Sequence, residues 1–125
     1  MKLSLAPDIK KIVNQVQAKL KIPYIDTKRI ICFRSHGATA RARARIWGFP
    51  NIWQMALKLP AYYCLEIISE KFDYLSLEDK IRIIIHELMH IPKNFSGALL
   101  PHHGRGKVKI DTKTIENIYK TYFKK

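Results

Sequence analysis

Apolar positions recur along this chain with two periods, one near four residues and one of two, and the switch between them marks its elements. Residues 8–21 place Ile9, Ile12, Val13, Val16 and Leu20 at helical spacing among lysines and glutamines. This predicts an amphipathic helix, capped by Asp8 after Pro7 and ending before Pro23. The β-branched and aromatic run 29–34 predicts a strand, with turn chemistry following in Ser35, His36 and Gly37. In ATARARARIWG, Arg41, Arg43 and Arg45 alternate with Ala40, Ala42, Ala44 and Ile46, the two-residue period of a strand with one all-arginine face. NIWQMALKL is a short helix or irregular, and residues 61–68 (AYYCLEII) read as a further strand.

The most definite element begins at Ser76, an N-cap with acidic Asp79 three residues on. Leu77, Ile81, Ile84, Ile85 and Leu88 then form one helical stripe, and Pro92 sets the end at about Ile91. Residues 93–109 lack periodicity and read as a loop; 110–123, with Ile115, Ile118, Tyr119 and Tyr122 on one face, read as a closing helix. At 125 residues, with no internal repeat or linker, one domain over 1–125 is expected.

Composition and the chain's opening residues add to this picture. No run approaches the roughly 20 apolar residues of a membrane span. The opening MKLSLAPDIKK is broken by Pro7 and Asp8 short of the ~7–15-residue core of a secretion signal, so cytoplasmic residence is the expectation. Cys32 and Cys64 lie in apolar strand-like runs and not in a CxxC pair, which suggests buried free thiols, with a disulfide as the alternative. The net charge of +13, from 23 basic against 10 acidic residues, is too lopsided for mutual pairing. It points either to nucleic acid as a partner or to a solubility device. The same choice applies to Arg41, Arg43 and Arg45, which could follow phosphates or simply guard an exposed sheet. The lysines near both ends (Lys10, Lys11, Lys19, Lys21, Lys120, Lys124, Lys125) fit a solvated face.

The chemistry is concentrated in HELMH. His86 and His90 are four apart on the helix that starts at Ser76, so both imidazoles leave one side, one turn apart, suited to two ligands of one tetrahedral metal such as zinc. Glu87, about 100° round the helix, suits a proton acceptor better than a third ligand. The apolar setting of Ile83, Ile84 and Ile85 makes two unpaired histidines unfavourable to bury. A structural zinc would favour cysteine and four protein ligands. The metzincin pattern is excluded, because Lys93 and Ser96 stand where its glycine and third histidine belong. The third ligand is then His102 or His103, in ALLPHHGRG, or Glu116 on the closing helix, with His102 favoured.

The run LSLEDKIRIIIHELMHIPKNFSGALLPHHGRG resembles a metallopeptidase family of archaea and phages, which shares a HELxHIP segment followed by FxG and a PH pair. RARARIWGFPNIWQMAL and YYCLEIISEKFDYLS also resemble its archaeal branch, so the likeness spans roughly residues 29–106. It implies a compact α+β zincin: a small twisted, mainly antiparallel sheet against the HExxH helix, with N- and C-terminal helices and an edge strand across the cleft. By position, His86, Glu87, His90 and His102 match the family's motif residues.

The expected activity is zinc-dependent peptide hydrolysis with Glu87 as general base. The strand at 61–68 would pair with an extended peptide, and Tyr62, Tyr63, His103 or Arg105 would steady the oxyanion. The competing readings are a nucleic-acid-binding module with a structural zinc, and a protease acting on DNA-bound proteins.

Overall fold

The computed structural model describes residues 1–102 and 110–123. Its strands are β1 (Lys2–Leu5), β2 (Ile30–His36), β3 (Ala44–Trp47) and β4 (Tyr63–Ile68), joined in one sheet of order β1-β2-β4-β3. β1 with β2 and β3 with β4 are antiparallel, while β2 with β4 is parallel. The helices are α1 (Pro7–Leu20), α2 (Asn51–Leu57), α3 (Ser69–Phe72), α4 (Leu77–Leu88) and α5 (Thr112–Tyr122). α4 lies centrally, touching α1, α5 and β3.

Alternation along the strands decides which face is covered. Ile30 and Cys32 of β2, Ala44 and Ile46 of β3, and Tyr63, Leu65 and Ile67 of β4 are buried with Ile9, Val13 and Val16 of α1 and Ile81, Ile84, Ile85 and Leu88 of α4. The opposite face carries Leu3, Leu5, Ile31 and Trp47, all exposed. β4 is an interior strand, hydrogen-bonded to β2 on one side and β3 on the other, and its Tyr63, Leu65 and Ile67 face the core. It therefore has no free edge to offer a peptide, contrary to the expectation for 61–68; β3 is the edge strand beside α4.

Several local expectations are corrected. Pro7 is already inside α1, whose N-cap is Ala6, and Asp8 makes an ion pair with Arg34 instead of capping. Ser35 and His36 are the last residues of β2, with Ser35 fully buried, so the turn starts only at Gly37. Arg41 and Arg43 precede β3 and only Arg45 lies within it, which removes the three-rung arginine ladder. Arg45 itself donates to the buried Glu66 at 2.7 Å and stacks over Trp47. Leu77 and Tyr122, assigned to apolar stripes, are exposed. Lys10 is not on a solvated face but donates to the Thr27 and Ile30 carbonyls. Cys32 and Cys64 are free thiols, the first buried and the second half-buried; the register sets them on neighbouring residues of opposite sheet faces.

One ion-pair cluster ties α1, β2 and α3 together. Arg34 donates to Asp8 at 3.1 and 2.9 Å and to Asp73 at 2.8 and 2.9 Å. The Arg34 hydrogen bond holds the Asp8 carboxyl below its ordinary value of 3.8. For Asp73, burial pushes upward, but hydrogen bonds from Arg34 and Ser69 outweigh it and the net shift is also down. Groups with depressed folded-state values stabilise fully above their ordinary value near 3.8 and lose that contribution as pH falls through the lower one. Arg34→Gln is therefore expected to cost about 2–3 kcal/mol at neutral pH, mostly through Asp73 because Asp8 is largely exposed. Denaturant melts between pH 2 and 7 should show the wild-type advantage shrinking below about pH 4.

Candidate metal centre

α4 is set by local chemistry. The Ser76 side chain accepts from the Asp79 N–H at 3.2 Å, and Ile81, Ile84, Ile85 and Leu88 face the core. The α-helix proper ends at Leu88, and the chain then tightens, with His90 N–H bonding to the Glu87 carbonyl and Ile91 N–H to the Leu88 carbonyl. His90 thus sits in the closing turn, and its ring still lies 5.2 Å from that of His86.

The next segment folds back over this turn. Leu100 N–H donates to the His90 carbonyl at 2.7 Å, and His90 Nδ1 donates to the Leu100 carbonyl at 2.5 Å. With Nδ1 so engaged, Nε2 is the His90 nitrogen left for a ligand. Tyr63 clamps the same segment: its hydroxyl donates to Ala98 O and accepts from Gly97 N–H, each at 2.8 Å, and Phe95 packs edge-on against its ring. These contacts bring His102 over α4, with its Nε2 at 2.9 Å from that of His86. One ligand nitrogen from each of His86, His90 and His102 lies within 4.8 Å of the others, the group among the described residues that could hold a metal.

The His86 ring is held neutral. Burial, and then the neighbouring His90 and His102, push its imidazole down to about 4, so it is uncharged at neutral pH, as a metal ligand must be. Glu87 Oε2 lies 3.8 Å from His86 Nε2. Burial raises the Glu87 carboxyl to about 7, and the backbone N–H of Ile46 on β3 offsets part of that rise. A proton-accepting group is thus held between the imidazoles and the edge strand.

A cleft of about 420 Å³ opens beside these residues, lined by His86, Glu87, Arg43, Ala44, Arg82 and Glu116 among others. Glu116 is not with the three imidazoles; its carboxylate accepts from Arg82 at 2.8 and 3.4 Å. Arg82, missed in the sequence, precedes His86 by four residues and so shares its side of the helix, a spacing that could have flagged it. Tyr63 is spent on the loop clamp, and Tyr62 is not among the residues lining this cleft. His103 and Arg105 lie outside the described residues.

An HExxH segment packed against a small mixed sheet, with three imidazoles converging beside a half-buried glutamate, defines a minimal zincin-like α+β protein with a candidate metal site. The family model described as "Putative phage metallopeptidase" matches residues 1–122, and the chain belongs to that family. The family's name makes its activity that of a metal-dependent hydrolase of peptides. No curated protein and no solved structure gives a significant match. Among the described residues, no helix is long and apolar enough to cross a membrane.

Proposed function

We propose that the protein is a zinc peptidase in which His86, His90 and His102 hold the metal and Glu87 is the general base. The observation that carries this is the convergence of three imidazole nitrogens within 4.8 Å, one oriented by a backbone carbonyl. Three histidines suit zinc and leave a fourth coordination position, as catalytic sites require. Bound there, zinc would supply Lewis acidity, polarising a carbonyl and lowering the pKa of water toward ~7. Glu87 takes a proton from the attacking water and returns it to the leaving amine. β3 holds the substrate extended, because among the described residues no strand pairs with its outer edge and its first residue lines the cleft.

Metal analysis of the purified protein tests this, with about one zinc per chain expected. Cleavage of an unfolded polypeptide should stop on chelation and return with zinc. A chain that neither carries nor takes up zinc would end the proposal.

A second reading adds nucleic acid. Arg41 and Arg43 are exposed next to the cleft on a chain of net charge +13, which suits a protease acting on DNA-bound proteins. DNA affinity that falls steeply with salt separates this reading from the first.

A further inference from the structure

α2 has no role in the site described so far. None of its residues is buried, although Ile52, Trp53, Met55 and Leu57 are large and apolar. Ile52 is 74% exposed, Met55 72% and Trp53 55%. Leu99 and Leu100, on the loop beside it, are exposed too. Single exposed apolar residues are ordinary on any surface, but a contiguous group marks a binding surface.

The junction between α2 and that loop is closely built. Phe49 N–H donates to the Gly97 carbonyl at 2.8 Å, and the Gln54 amide donates to the carbonyls of Ser96 at 2.8 Å and Phe49 at 2.7 Å. A side chain at Gly48 would meet the Gly97 carbonyl and Leu99. One at Gly97, where φ is +93°, would meet the Phe49 carbonyl and the Gln54 amide. The same loop then reaches the candidate metal centre, since Leu100 bonds His90 and His102 follows two residues later. Apolar surface and imidazole nest therefore share one supporting loop.

β3 supplies the direction. Ala44, at its start, lines the polar cleft with Arg43, Arg82 and Glu116; Trp47, at its end, leads through Gly48 into the α2 junction. Glu87 faces Ile46, between the two ends. An extended chain laid along the outer edge of β3 meets polar groups at one end and the apolar platform at the other.

We propose that α2 with Leu99 and Leu100 forms the apolar half of the substrate surface, so that the protein takes extended polypeptide with large apolar side chains on the α2 side of the scissile bond. The proposal rests on the peptidase reading above. Continuity with the three imidazoles selects a substrate chain over a bilayer or a second copy, neither of which has reason to sit on the loop that carries the site.

The test separates binding from turnover. Zinc-loaded Glu87→Gln protein is applied to an array of short peptides varied one position at a time. Peptides with Leu, Phe or Trp at one fixed position should be retained over their Ser or Gly counterparts. Trp53→Ser and, separately, Met55→Ser, added to that background, should weaken retention at least about tenfold. Their zinc content and melting midpoint should not change, because neither side chain supports the core. Equal retention of apolar and polar peptides, or unchanged retention in both variants, overturns the proposal. So does a result in which Trp53→Ser abolishes sedimentation with phosphatidylserine vesicles, or self-association, and leaves peptide retention intact. Zinc uptake is measured first: its failure sinks the peptidase reading, whereas lost selectivity with zinc in place sinks only the platform.

Discussion

Glu87→Gln is expected to retain about one zinc per chain and to lose turnover by about 10²–10⁴-fold, the range supplied by a positioned general base. Glutamine has the size and shape of glutamate and its amide oxygen can still accept from Ile46, so the half-buried position is refilled without a cavity. The three imidazoles are untouched. What disappears is the ability to take a proton, at a carboxylate whose Oε2 lies 3.8 Å from His86 Nε2. Parallel zinc determination and peptide-cleavage kinetics check both halves. A variant that holds zinc and keeps more than about a tenth of wild-type turnover would remove Glu87 from the role of base.

His102→Ala and Glu116→Ala should separate sharply. Removing His102 takes away one of three nitrogen donors, and zinc affinity should fall by at least about 100-fold, more than loss of a supporting residue brings. With zinc at roughly 100 times the wild-type Kd, binding is worth about 2.7 kcal/mol of stability, or roughly 10 °C in melting midpoint for a chain of this size. That zinc-dependent rise should vanish in His102→Ala. Glu116→Ala should keep zinc and lose only the partly exposed pair with Arg82, worth about 0.5–1 kcal/mol. Titration with zinc, followed by calorimetry, gives both numbers. The reverse outcome would hand the third position to the carboxylate.

These predictions draw unequally on sequence and structure. α4 was legible because everything that makes it is local: a serine cap, an acidic first turn and an apolar stripe within twelve residues. α1 and α5 were legible on the same grounds, with errors confined to their ends, where Asp8 and Tyr122 found other surroundings. Strands were harder. β1 is four exposed residues whose only reason to be extended is the edge of β2, thirty positions away in the chain, and its own pattern carries no signal. The arginine alternation imitates a long strand, yet pairing with β4 stops at Ala44 opposite Ile67, because β4 ends one residue later and turns into α3. Arg43 makes one last bond, its carbonyl accepting from Ile68 N–H at 3.0 Å, and Arg41 lies beyond the end of the ladder.

The sequence alone determined the helix and placed His86 and Glu87 on it by helical geometry, while His90, one turn on, falls in the tighter turn just past its end. It also narrowed the expected third ligand to His102, His103 or Glu116 and favoured His102. That His102 meets the other two imidazoles depends on the loop being drawn back by the exchange between His90 and Leu100 and by Tyr63, a contact with a segment far away in the chain. Burying β4, exposing the edge of β3, pairing Glu116 with Arg82 and leaving α2 bare were likewise tertiary outcomes. Each depends on which segments meet, and a hydrophobic period records only which side of one segment seeks cover.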